Sequence, residues 1–426
     1  MSRSSYLAAP HASQEGLRLA YLVSRYPAVS HTFILREVLG LRRLGAQIDV
    51  ASVNAPDREP GRMTQDEKDE AGQVYYVKRA GITGALGAAA HCLWRHPKGT
   101  LRALRKSLGL SRGLRRLYGL GYLAEAMMVT RWMRDRGCRH LHVHFATAAA
   151  TVGMLARELA PIGLSLTVHG PDEFDDVNGQ HLRAKIQAAD LVVCISQFAR
   201  SQLMRISRRA DWDKLSVCRL GVAPADAAPR PVAAAPRLLC IGRLTPAKGQ
   251  HLLLAACAAL RAQGYAFTLV LVGAGDDNAA LRETAARLGL DDNVRFTGAL
   301  NQAEVRAELQ AADLFVLPSL AEGIPVVLME AMAQGVPCIS SPVNGIPELI
   351  RHGEDGLLCA PGDAQALARA IAALLDDPAL RERLGQAGKR RVQAEYSLED
   401  NVAALSRLFH EHPAARLARL PLGVPA

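Results

Sequence analysis

Apolar and polar positions fall into two kinds of block that take turns along the chain. Short runs of continuous or alternating apolar residues stand at 17–23, 47–53, 140–144, 164–168 and 190–195. Such runs predict strands buried on both faces of a sheet. Between them lie stretches with helical spacing over 30–44 and 148–159. Ser30 is placed to cap the first of these helices, Gly45 to end it, and Ser196 to cap the helix after the 190–195 strand. Shorter strands at 74–77 and 215–219 complete this half. The polar, acidic stretch 54–72 reads as a surface loop, and further helices are predicted over 85–94, 99–108 and 113–135.

The second half repeats the alternation. Strands are predicted at 237–241, 268–272, 294–296, 314–317, 336–340 and 356–359. Helices are predicted over 250–263, 278–289, 302–311 and 326–333, with three more beginning near 363, 378 and 398. Strands that alternate with helices predict an α/β fold built on doubly wound, parallel sheets. Between the halves, VAPADAAPRPVAAAP (222–236) is rich in Pro and Ala and has no apolar period, so it reads as a linker. The chain therefore divides into a Rossmann-like domain over 17–221, carrying a helical insert at 78–139, and a second over 237–395. A last helix over 396–411 is placed to pack back on the first domain, and the two sheets face each other across a cleft.

Composition agrees with two large cores: 49% of the 426 residues are hydrophobic and 22% are charged. No apolar run reaches membrane-spanning length, and residues 1–16 carry no signal-like apolar core, so a cytoplasmic protein is expected. The eight cysteines are scattered without CxxC spacing, as expected of reduced, buried thiols. Charge changes the picture more. Residues 78–139 hold fourteen Lys and Arg against Glu125 and Asp135, so this insert carries +12 of a net charge of +10. Leucines are interleaved with the bases on predicted helices, the pattern of a surface that lies on anionic lipid. A solvated helical face is the plainer reading, and no recognition motif accompanies the charge to favour nucleic acid.

Ligands of open parallel sheets bind at the carboxyl ends of the strands. After the 237–241 strand comes GRLTPAKG, which puts Arg243 and Lys248 in one loop before a helix, where two cations can neutralise a diphosphate. After the 314–317 strand comes Glu322-Gly323-Ile324-Pro325, then an apolar helix from Val326 that contains Glu330. A helix N-terminus offers free N–H groups, and a carboxylate suits paired sugar hydroxyls. One glutamate at a helix end is most often a solvated charge, but Glu330 sits among Val, Leu, Met and Ala, where a carboxylate usually has a partner.

The pair Glu322 and Glu330, with seven residues between them, after a strand and before VPCI, resembles the E-x7-E motif of the retaining glycosyltransferases of group 1, family 4. GRLTPAKG resembles the GR-x4-KG motif of the same family, and roughly 17–408 follows its GT-B pattern. YPAVSHTFILREV (26–38) is similar to the start of the exopolysaccharide-type members, without the paired-glycine loop that many other members carry there. The resemblance implies transfer of a sugar from a nucleotide-diphosphate sugar with retention of configuration, with no cofactor and no metal. Arg243 and Lys248 would hold the diphosphate, Glu330 the ribose, and Glu322 the sugar, with the backbone of Gly323, Ile324, Pro325 and Val326 assisting. His169, in TVHGPDEF, would lie over the reacting carbon. Asp172 and Glu173 beside it, and Ser30 and His31, would meet a glycan or polyprenyl-diphosphate-linked acceptor, with the enzyme docked on an anionic membrane through 78–139.

Other features point less far. VGAGDD (272–277) is read as a tight turn near the nucleotide. Asp211-Trp212-Asp213 has the spacing of a metal-binding DxD but sits in a polar connection and is set aside. His140, His142 and His144 share one strand face, yet the local sequence supplies no Cys or acid to complete a metal shell. Two other readings remain open at this level: an epimerase or phosphorylase of the same fold, and a non-catalytic glycan- or nucleotide-binding protein.

Overall fold

The computed structural model describes residues 16–110, 116–225 and 235–411. Seven parallel strands form the first sheet: β1 (Arg18–Arg25), β2 (Gln47–Asn54), β3 (Tyr75–Tyr76), β4 (His140–His144), β5 (Gly163–Val168), β6 (Leu191–Cys194) and β7 (Leu215–Val217). Their order is β3-β2-β1-β4-β5-β6-β7. Six strands form the second: β8 (Arg237–Ile241), β9 (Thr268–Val272), β10 (Val294–Gly298), β11 (Leu314–Leu317), β12 (Cys338–Ser340) and β13 (Leu357–Leu358). Their order is β10-β9-β8-β11-β12-β13. In both sheets the order reverses beside the first strand, which opens a crevice at the carboxyl ends.

The apolar runs explain the layering. β4, β5, β6 and β11 are buried along their whole length, as strands covered on both faces require. One core lies under the helices of the second domain, and two lie on opposite faces of the first sheet. The helix Leu398–Glu411 belongs to one of the latter two: its Val402, Leu405 and Phe409 pack with Ile34, Val38 and Leu41 of the helix Thr32–Arg43. The chain thus passes between the domains twice. The two passages are joined where Val222 N–H donates to the Tyr396 carbonyl (2.9 Å) and Leu398 N–H to that of Val222 (3.0 Å).

Some expectations are corrected. The stretch 54–72 is not a loop throughout, because Gln65–Gln73 is a helix. Its start is a capping box: Glu67 N–H donates to the Thr64 hydroxyl and Thr64 N–H to the Glu67 carboxylate, a signal written in TQDE. Ser30 does not begin the next helix; it lies in the 3-10 turn Val29–His31, and Thr32–Arg43 starts with His31 at its N-cap and no side-chain cap. The helix assigned from 113 is seen from Arg116, and Arg112, Arg115 and 226–234 of the linker lie outside the described residues. Helices at Leu182–Ala188 and Ile346–Leu349 were not marked by periodicity. Among the described residues no helix is long and apolar enough to cross a membrane, and no disulfide joins any of the eight cysteines.

Candidate active site

Two loops of the second domain meet at the carboxyl ends of β8 and β11. Lys248 closes a 3-10 turn, Pro246–Lys248, and Gly249 follows at φ +68°. A Cβ on Gly249 would stand 2.1 Å from the Pro318 carbonyl oxygen, so only glycine lets the backbone turn there and touch the end of β11. Leu320 N–H donates to the Ala247 carbonyl (2.8 Å), and the Gln250 amide to that of Arg243 (2.9 Å). VGAGDD supports the same loop, with Leu244 N–H donating to Ala274 (3.0 Å) and Asp277 N–H to Leu244 (3.1 Å).

This bracing brings Lys248 Nζ to 2.5 Å from Glu322 Oε1, which also accepts from the Ser319 hydroxyl at 2.7 Å. Glu322 is only 7% exposed, so its charge is compensated locally by one cation and one hydroxyl. Arg243 differs: its side chain is two-thirds exposed, and its guanidinium lies 3.8 Å from Asp172 of the other domain. The helix Val326–Ala333 starts behind Pro325 with no side-chain cap, which leaves its first N–H groups for a ligand. Glu330, on that helix, is engaged across the cleft by Arg36 Nη2 at 2.7 Å. Arg36 was not singled out in the sequence, because nothing local marks a residue whose partner lies 294 positions away.

The opposing wall is the end of β5. His169 is buried and its Nε2 lies 3.1 Å from Nδ1 of His144. Burial first, then the neighbouring His144 and His31, hold its pKa well below the usual imidazole value. The two walls touch through backbone: a Cβ on Gly323 would sit 2.0 Å from the His169 carbonyl oxygen. Phe145 and Phe33 flank the His169 ring at centroid distances of 4.3 and 5.0 Å, and His31 packs on Phe145 at 4.7 Å. Phe145 holds φ +66°, a conformation rare for a bulky residue and characteristic of functional turns. Only the β4 ending pointed to it in the sequence.

The acceptor candidates separate. Asp172 is exposed, facing Arg243. Glu173 is buried: its carboxylate accepts from Ala146 N–H, His169 N–H (2.5 Å) and Gly170 N–H (2.8 Å), so it braces the His169 loop rather than opening to the cleft. Burial pushes its pKa up to about 7, against those donors, and pushes its neighbour Lys185 down to about 7. Asp211 is buried and paired with Arg208 (2.9 Å) and Lys214 (3.2 Å). His142 and His144 of β4 do have an acid beside them, contrary to the local reading: Glu37 reaches them from the helix Thr32–Arg43. His142 hydrogen-bonds Ser165 (2.7 Å) and Thr167 (2.9 Å) through its two nitrogens, and His144 bonds Glu37 and His169 through its own. This group is a hydrogen-bonded net whose ring nitrogens are already engaged.

A further tie joins the domains. The Glu348 carboxylate accepts from Gln197 N–H (2.9 Å) and Phe198 N–H (2.7 Å), the free end of the helix Gln197–Ile206.

Two Rossmann-like sheets with their carboxyl ends opposed, and a basic loop and a helix N-terminus in the crevice, define the GT-B class of glycosyltransferase. Similar proteins say the same. Residues 228–391 match the family "Glycosyl transferases group 1" and residues 30–226 match "Glycosyltransferase Family 4". An amylovoran biosynthesis glycosyltransferase, AmsK of Erwinia amylovora, is 30% identical over 89% of this chain and 96% of its own. A colanic acid biosynthesis glycosyltransferase assigned to Escherichia coli K12, WcaL, is 30% identical over 84% of this chain and 90% of its own. Among solved structures, a sucrose-phosphate synthase from Thermosynechococcus elongatus superposes with TM-score 0.73 at 22% identity, over 92% of this chain and 98% of its own. Anabaena HepE bound to UDP and glucose superposes with TM-score 0.71 at 20% identity, over 92% and 99%. The chain belongs to the group 1, family 4 glycosyltransferases.

Proposed function

We propose that this enzyme transfers a sugar from a nucleotide-diphosphate sugar, with retention of configuration, to a glycan or polyprenyl-diphosphate-linked acceptor in exopolysaccharide or cell-surface polysaccharide synthesis. One observation supports the reading: Lys248 pairs with Glu322 just ahead of the uncapped start of the helix Val326–Ala333, and Gly323 between them lies against the backbone of His169 of the other domain. Arg243 and Lys248 meet the diphosphate charge, the backbone N–H groups of Gly323, Ile324 and Val326 supply donors, Glu330 takes the ribose and Glu322 the sugar. The cations stabilise the leaving diphosphate, and that phosphate accepts the acceptor's proton. This donor set neutralises the diphosphate through protein groups alone, so transfer needs no divalent metal.

The polysaccharide context is supported by the amylovoran and colanic acid relatives. The membrane context is supported by the surface. Ile82, Leu86, Leu93, Trp94, Leu101, Leu108, Leu117, Tyr118 and Leu120 are all exposed within the basic insert, whereas Val29 and Leu320 are the other large exposed hydrophobics among the described residues. Such a concentration of apolar groups among cations fits an acidic lipid surface. The enzyme then works from the cytoplasmic face. The test is release of free nucleotide from nucleotide sugars with and without a membrane extract as acceptor, in buffer containing EDTA. Acceptor-dependent release supports the reading; release that needs added Mg2+ or Mn2+ removes the metal-free mechanism, and no release from any donor removes the reaction.

A further inference from the structure

We infer that Glu37 and His144 are positioning residues that fix the tautomer of His169, leaving its Nδ1 as a bare acceptor for a hydroxyl of the bound sugar. The inference rests on the proposed reaction for its ligand, and on a chain of four side chains for its geometry. Tyr21 Oη donates to Glu37 Oε1 at 2.8 Å. Burial and the adjacent carboxylate keep the proton on Tyr21, so Oε1 is an acceptor in that bond. His144 Nε2 lies 3.1 Å from the same oxygen. An oxygen already accepting one hydrogen bond requires a second donor, not a lone pair, so Nε2 of His144 carries the hydrogen. A neutral imidazole has one N–H, which makes His144 Nδ1 the acceptor. That atom lies 3.1 Å from His169 Nε2, which supplies the hydrogen. His169 is then bare at Nδ1, an atom that is buried and without a partner among the described residues.

The arrangement is not a by-product of packing one ring. Its members come from β1, from the helix Thr32–Arg43, from β4 and from the end of β5. Phe145 and Phe33 fix the plane of the His169 ring from two sides. Every other ring nitrogen in the chain from Glu37 to His169 is paired. A buried acceptor left unpaired favours whatever polar group completes it, and the sugar is proposed to lie against the His169 loop, where Gly323 meets it. Glu37 and His144 do not touch the sugar in this account; they act through His169.

The tautomer is measured directly. The full chain, labelled with 15N at histidine, gives imidazole 15N shifts that separate protonated from bare nitrogens; at pH 8 imidazoles are neutral. The His169 signals are assigned by their loss in His169→Gln. The account expects His169 protonated at Nε2 and bare at Nδ1. It expects both Glu37→Gln and His144→Phe to mix the two forms. In the same variants kcat falls on the order of ten-fold or more, as for a histidine whose orienting carboxylate is removed. Affinity for the bare nucleoside diphosphates UDP, GDP and ADP stays as in the unsubstituted enzyme, because Arg243 and Lys248 are intact. A proton on Nδ1 in the unsubstituted protein, or an unchanged His169 spectrum in His144→Phe, overturns the inference. If no nucleotide sugar is turned over, the proposed reaction fails while the spectrum still decides the tautomer.

Discussion

The guanidinium of Arg36 and the carboxylate of Glu330 lie 2.7 Å apart across the cleft, on helices of different domains. Their side chains are 17% and 23% exposed, so water screens the pair only partly. The residue assigned to the donor ribose therefore also fastens the two domains, and donor binding exchanges one partner for another. Arg36→Met is expected to open the cleft. A charge-assisted hydrogen bond contributes about 1.5–3 kcal/mol, enough to shift a closed form toward an open one. Small-angle scattering of the ligand-free variant will show a larger radius of gyration than that of the unsubstituted chain; equal radii at low salt would show that the contact does not hold the domains.

Lys248 and Glu322 form one unit in the folded state. Lys248→Met leaves a buried carboxylate with only the Ser319 hydroxyl, and such a loss costs about 3–5 kcal/mol when the site is dry. Lys248→Met is expected to lower the melting temperature clearly, and adding Glu322→Gln to recover part of the loss. Arg243→Ala, at a two-thirds exposed side chain, is expected to leave it unchanged. Additive losses for the Lys248 and Glu322 substitutions would mean that the two groups are independent.

Acid is expected to destabilise the fold through its histidines. Burial lowers His31 to about 4 and His140 to about 3, from 6.5, and lowers His142 and His169 well below that value. An unfolded chain takes up these protons near pH 6.5 and the folded chain does not. Their contribution is thus complete above about pH 6.5 and is lost as pH falls toward 4 and 3. Glu173, raised to about 7, opposes them with a single proton, its stabilisation fading as pH rises from 4.5 to 7. Calorimetric melts between pH 7.5 and 4.5 will fall with pH, and His140→Leu will flatten the slope. A melting temperature that rises on acidification would contradict the assignment.

The basic insert is expected to hold the protein on acidic lipid. Each cation near an anionic leaflet contributes about 1 kcal/mol, and Trp94, 78% exposed, precedes Arg95 in its helix, with Lys98 and Arg105 on the next. Lys106 is less available, because it pairs with Glu158 at 2.7 Å. Sedimentation with phosphatidylglycerol-containing liposomes will recover the protein at low salt and lose it at high salt. Equal recovery on neutral liposomes, or unchanged binding when Trp94 becomes Ser and Arg95, Lys98 and Arg105 become Gln, would remove the membrane role.

Much of this architecture is legible in the chain because it is local. β11 shows as an unbroken apolar run and β4 and β5 as alternating apolar positions, and Gly249 and Pro325 mark the turns that carry Lys248 and Glu322. The helix Gln65–Gln73 carries a capping box in TQDE, but its polar surface hides the helical period. Glu37 gave the same local signal as Glu330, an acid inside an apolar helix, but its partners Tyr21 and His144 lie 16 and 107 positions away. The contact of Arg36 with Glu330, the hold of Glu348 on Gln197 and Phe198, and the touch of Gly323 on His169 exist only once two separately folded domains meet. No period or motif in one domain encodes them.

The central claim is that the Arg243, Lys248, Glu322 and Glu330 pocket binds a nucleotide-activated sugar. Calorimetric titration of UDP-glucose, GDP-mannose and ADP-glucose into the unsubstituted enzyme, Arg243→Ala and Glu330→Ala tests it most directly. The account predicts that one nucleotide class binds the unsubstituted enzyme and binds each variant roughly 10- to 150-fold more weakly, the equivalent of about 1.5–3 kcal/mol for one charge-assisted contact. Equal affinity in all three proteins, or binding of none of the donors, would contradict it.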